Sequence, residues 1–205
     1  MSTPYTEIGR VLRASTNGFT CGTRSQEVQY PTFGAFVTTN HETDGNLAVV
    51  GLITAIRIDD DPLVRQLIMA GNDLDGDGNL LRDQRENRLV PVEIDVLNIG
   101  YVQGDKAYYN LPPRPPLSLD PVYLCEPYFI HAFTEKLDFL RLVLNASQLS
   151  TVDLVGAAIL KAATAYPQEV RRAFLVAAGR ELAGLLSHDM AMLQAILKII
   201  RPSNI

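Results

Sequence analysis

Leu111-Pro112-Pro113-Arg114-Pro115-Pro116 divides this sequence into halves of different character. Its four prolines lack a backbone donor and lock φ, so the stretch is expected to run extended and stiff. Before it, short runs rich in β-branched residues alternate with turn signals. After it, apolar residues recur at helical spacing.

The runs before the prolines are 8–12, 18–21, 33–39, Leu47–Ile58, 89–97 and 100–109. Residues 40–46 between the third and fourth hold a turn centred on Asp44-Gly45. Leu47–Ile58 is the longest run and the richest in Val and Ile, and its Gly51 predicts a bend or bulge. Gly104-Asp105 marks a second turn inside 100–109. Five or six short strands with interior glycines predict a small closed barrel, which also removes the edges of an open sheet. Residues 62–70 interrupt the strands. Pro62 suits a first helical position and Asp59, Asp60 and Asp61 suit a helix N-terminus, so one or two helical turns are expected there.

Beyond the prolines, four helices are expected, at 131–144, 150–165, 167–186 and 189–200. Phe133, Leu137, Leu140 and Leu144 share one face of the first. The second opens on Ser150-Thr151-Val152-Asp153, a start similar to a capping box, and the last stops at Pro202. The expected fold class is therefore α+β, a small N-terminal barrel over 1–116 followed by an α-helical region over 117–205. The last helix is apolar on more than one stripe, through Met190, Leu193, Ile196, Leu197, Ile199 and Ile200. Two readings stay open for it. The helices form a bundle packed on the barrel, or Met190, Leu193, Ile196, Leu197 and Ile200 form a subunit or partner interface that makes the chain a homo-oligomer.

The composition is that of a globular chain, 205 residues with 47% hydrophobic and 20% charged. A net charge of -5 with no Lys/Arg run argues against direct nucleic-acid binding, which draws its affinity from cations displacing counterions. The start Met1-Ser2-Thr3-Pro4-Tyr5 does not read as a signal peptide, and no run approaches the about 20 apolar residues of a membrane span, so a cytoplasmic protein is expected. Cys21 and Cys125 make neither a disulfide framework nor a metal quartet.

The chemistry-bearing motifs are few. No Gly is followed by Lys, so the phosphate-binding loop G-x-x-x-x-G-K-[ST] is missing. No G-x-S-x-G elbow, H-x-x-x-H or C-x-x-C pair occurs either, and the expectation is a protein that is not an enzyme. His41-Glu42 in a turn is a base beside a carboxylate, the one hint of a small enzyme with a loop site. His131 and His188 sit near helix starts and read as structural. The metal-like signal is Asp73-Leu74-Asp75-Gly76-Asp77-Gly78-Asn79-Leu80, in which Asp73, Asp75, Asp77 and Asn79 match the first positions of a calcium loop. Gln84 stands where that loop needs a bidentate Glu, so the stretch reads either as a weak calcium site, making the chain a calcium-responsive module, or as an acidic surface loop.

Ile8-Gly9-Arg10-Val11, Phe33-Gly34-Ala35-Phe36-Val37 and Val50-Gly51-Leu52-Ile53 resemble strands of the HAS-barrel family, the HerA–ATP synthase barrel. The proline-rich exit followed by Asp120-Pro121-Val122-Tyr123 extends the resemblance, which covers roughly residues 5–130. In HerA-like translocases such a barrel leads into an ATPase with a phosphate-binding loop; here it leads into helices, and no ATPase residue is carried over. The resemblance implies an assembly collar: a non-catalytic adaptor for a HerA-like hexameric DNA translocase, for a NurA-like nuclease, or for copies of itself.

Overall fold

The computed structural model describes residues 6–24, 31–40, 47–58, 91–146 and 150–201. The expected helical turns at 62–70 lie outside them. The strands are β1 (Glu7–Ala14), β2 (Gly18–Arg24), β3 (Phe36–Asn40), β4 (Leu47–Ile58), β5 (Pro91–Gln103), β6 (Lys106–Tyr108) and β7 (Pro121–Leu124). The helices are α1 (Pro127–Thr134), α2 (Leu140–Leu144), α3 (Thr151–Thr164), α4 (Gln168–Leu185) and α5 (Met190–Ile199).

Every strand pairing is antiparallel, in the order β2-β1-β7-β3-β4-β5-β6. Pairing of β2 with β5 along Gly18 to Arg24 closes six of the strands into a barrel, and β6 hangs outside on β5. The expected α+β class, a closed barrel followed by helices, is what forms. Two details differ from expectation. The described parts of the runs 89–97 and 100–109 join through Gly100 into one strand, Pro91–Gln103, and only the turn expected at Gly104-Asp105 interrupts them. The barrel also extends past the division expected at 116, because β7 follows the prolines and lies between β1 and β3.

Side chains alternate across a strand, so one face of each strand fills the barrel. Ile8, Val11, Phe19, Cys21, Val37, Val49, Ile53, Val92, Ile94, Val96 and Val122 form that interior core. The packing leaves no room at Gly51, where a Cβ would lie 2.3 Å from Val96 Cγ1, and the register of β4 on β5 shifts there. Burial places the Cys21 thiol in apolar surroundings and pushes its pKa up to about 12, so it packs as a small hydrophobe.

The opposite face of β3, β4 and β5 is apolar too, and the helices cover it. Phe36, Val50, Leu52 and Ile99 belong to a second core with Phe133, Phe139, Leu140, Leu154, Ile159 and Leu182. This is why β4 is buried almost without interruption from Leu47 to Ile53. Phe139 packs edge-on against Phe36 at 5.9 Å and against Phe133 at 6.0 Å. The Tyr109 hydroxyl donates to Phe133 O at 2.8 Å, tying α1 to the chain leaving β6. Helix α3 comes so close to the barrel that Gly34, at φ 77°, has no space for a side chain; a Cβ there would lie 2.6 Å from Ala157 Cβ.

The single helix expected at 131–144 is two, broken between Thr134 and Leu140. The break turns the chain so that Phe139 and Leu140 enter the helical core from α2 while Ile130 and Phe133 enter it from α1. At α3 the Ser150 hydroxyl donates to the Asp153 carboxylate and does not cap the helix backbone. Asp189 does cap α5, its carboxylate accepting from Met192 N at 2.9 Å.

Candidate functional site: a cleft between barrel wall and helix

The outward faces of β4 and β5 change character along their length. Val50 and Leu52 on β4, and Ile99 on β5, lie under the helices. Farther along, the outward positions are Thr54 and Arg57 on β4 and Glu93 and Asp95 on β5. Among the described residues this polar wall forms one side of a cleft of about 920 Å³. Thr20 from β2, Arg13 and Ser15 from the β1 end, and Arg57 and Asp95 line the wall; Leu111, Leu142, Asn145 and Ala146 line the far side.

The charges of the wall neutralise one another. Arg13 Nη2 lies 2.9 Å from Glu93 Oε2, and Arg57 Nη2 lies 3.2 Å from the same oxygen. Arg57 also donates to both oxygens of Asp95, at 3.0 Å for Nη2 to Oδ1, and the Thr20 hydroxyl donates to Asp95 Oδ1 at 2.7 Å. Hydrogen bonds from Arg13 and then Arg57 hold the Glu93 carboxyl below the usual carboxylate range. Burial pushes Asp95 the other way, but the bonds from Arg57 and Thr20 outweigh it and leave its pKa lowered as well. A general acid near neutral pH needs a raised carboxyl pKa. These two carboxylates are tuned in the opposite direction and serve as fixed hydrogen-bond acceptors.

The floor is held by Asn98, which is fully buried at the end of the barrel. Its Nδ2 donates to Thr16 O at 2.9 Å and to Ser15 O at 3.3 Å, and its backbone N–H donates to Asn17 O at 2.9 Å. One side chain thus fixes the β1–β2 turn against β5. Beside it, the polar wall grades into apolar surface through Leu97, Leu111, Leu142 and Ala146. Such a surface can bury a protein side chain or short segment while its own charges remain paired.

Asp73, Asp75, Asp77, Asn79, His41 and Glu42 lie outside the described residues. Among the described residues, no group of three or more His, Cys, Asp or Glu could hold a metal ion. Of the apolar α5 residues, Leu193, Ile196 and Ile200 are buried in the helical core, Leu197 packs against it, and Met190 is 56% exposed. The face that could have been a partner interface is therefore covered within the chain, with only Met190 left outside. His131 packs its ring on Tyr166 at 4.3 Å, and His188 is exposed. No helix among the described residues is long and apolar enough to cross a membrane.

Sequence reading did not pick out Arg13, Arg57, Glu93, Asp95 or Asn98. The one available signal was the alternation Val92-Glu93-Ile94-Asp95-Val96, which puts two carboxylates on one outward face. Compared with known protein families and with curated proteins, the chain matches none.

Proposed function

We propose that this chain is a non-catalytic assembly module that binds a HerA-like hexameric DNA translocase, its NurA-like nuclease partner, or further copies of itself. The observation that carries the reading is the solid interior of the barrel. Twelve buried side chains, the eleven strand residues from Ile8 to Val122 and Ala35, fill the space a ligand would occupy in a wider barrel. Recognition then falls to the outer surface. There the helices cement one wall and leave the wall of β2, β4 and β5 open as the cleft. The resemblance of the first half to HAS-barrels supports a ring-associated partner, as does the proline-rich exit from the barrel.

The test is direct mixing. The purified chain is combined with the HerA-like ATPase and, separately, with the NurA-like nuclease of its host, and co-elution is followed by size-exclusion chromatography. Co-elution with either, lost on placing a bulky residue in the cleft through Asn145→Trp, is the expected result. Elution apart from both partners, by a chain that also stays a single copy, would overturn the reading.

A further inference from the structure

The turn that joins β1 to β2 carries Asn17-Gly18, the one Asn-Gly pair of the sequence. Packing fixes the glycine. A Cβ at position 18 would lie 2.3 Å from Val96 O, so the peptide nitrogen that follows Asn17 always belongs to an unhindered residue. The asparagine itself is exposed and lines the cleft. Its φ is not left-handed, and among the described residues nothing bonds its side-chain amide.

Asn98, fully buried beneath the turn, prepares the peptide group between the two residues. Its backbone N–H donates to Asn17 O at 2.9 Å. When the Gly18 nitrogen loses its proton, resonance places the negative charge on that same oxygen, where a fixed donor stabilises it. Ser15 O, the acceptor across the turn, is occupied by Asn98 Nδ2 at 3.3 Å, and among the described residues the Gly18 N–H donates to none.

We propose that Asn17 is a site of spontaneous covalent modification, deamidation through a cyclic imide with Gly18, whose product recharges the cleft. Hydroxide removes the Gly18 N–H proton. The nitrogen's electron pair attacks Cγ of Asn17 and forms a C–N bond. The bond from Cγ to the side-chain nitrogen breaks, and that nitrogen leaves as ammonia with a proton from water. Water then adds to one of the two imide carbonyls and cleaves its bond to the ring nitrogen. Opening at the side-chain carbonyl leaves an aspartyl residue. Opening at the backbone carbonyl leaves an isoaspartyl residue, whose main chain is one methylene longer.

Either product adds a carboxylate to a cleft in which Arg13 and Arg57 are already matched by Glu93 and Asp95. The neutral cleft becomes anionic and favours cationic guests. The isoaspartyl link also displaces the carbonyls of Ser15, Thr16 and Asn17 that Asn98 holds, which loosens the floor of the cleft.

The full-length chain is aged in mildly alkaline buffer, folded and, in parallel, unfolded in urea. Both samples are then mapped by peptide mass spectrometry, with enzymatic methylation to mark isoaspartyl groups. The folded chain is expected to convert at Asn17 before any other described asparagine, including the exposed Asn110 and Asn145, and at no less than the unfolded rate. A more anionic form should separate on ion exchange, and its isoaspartyl fraction should melt below the natural chain. Asn17→Gln, which could close only a larger and slower ring, is expected to fold as the natural chain does and to give no such form. A folded chain that converts Asn17 more slowly than the unfolded one, or another described asparagine faster, would overturn the proposal. An isoaspartyl form that melts with the natural chain would overturn the loosening of the floor.

Discussion

Strands β4 and β5 run through two different surroundings on their outer side. At one end Val50, Leu52 and Ile99 are packed with the helices in a second core, and at the other Thr54, Arg57 and Asp95 line a cleft. Inside the barrel the same strands are apolar throughout, with Val49, Ile53, Val92, Ile94 and Val96. The inner face therefore specifies the barrel, while the outer face records where the helices end. A single strand carries a two-sided apolar pattern where it is sandwiched and an alternating pattern where it is not.

The difference is broken most severely from the sealed end. Phe139→Ala removes a fully buried ring lodged between Phe36 and Phe133, and the loss is expected to reach about 3–5 kcal/mol in urea unfolding. Gly34→Ala comes next, since its new Cβ meets Ala157 in a backbone conformation alanine resists; about 1–3 kcal/mol of destabilisation is expected, read as a lower unfolding midpoint. Leu119→Gly acts in the opposite direction. Relief of the left-handed φ should raise stability by about 0.5–1 kcal/mol, seen as a higher melting temperature.

The open wall should matter least. Arg57→Ala removes a side chain 48% exposed, and solvent screening limits its effect to about 1 kcal/mol or less, shrinking further in high salt. The pH dependence follows the lowered pKa values of Glu93 and Asp95. Groups whose pKa falls on folding contribute stability that is full above the ordinary carboxylate range. It is lost as pH drops through the folded values, below about pH 4. A melting-temperature series in acid should show a steeper decline for the natural chain than for an Arg57→Ala, Arg13→Ala double variant.

Much of the scaffold was legible because patterning is local. The β-branched run Leu47–Ile58 and the bulge at Gly51 could be read from neighbouring residues alone, as could helices α3, α4 and α5 between their turn signals. The break between α1 and α2 was hidden, because Phe133, Leu137, Leu140 and Leu144 keep helical spacing across it; tertiary packing of Phe139 decides the turn. The cleft was hidden for a different reason. Arg13 and Glu93 are 80 positions apart and meet only through the β2–β5 closure. Register across a barrel is not written in any short window. Leu119 is the reverse case, since its residue type argues against the backbone it adopts, and sequence patterning had no reason to flag it.

The placement of β7 has a consequence for how the chain acquires its shape. Strands β1 and β3 both wait for a partner that lies beyond the proline exit, so the barrel wall has a gap until Pro121–Leu124 arrives. Arg10 and Leu119, joined in the finished molecule, are separated by 109 positions. Closure is therefore a long-range, entropically costly step, of the kind that slows folding. During synthesis, two adjacent strand edges stay unpaired while more than half of the chain is already made, a window in which they can recruit strands from other molecules.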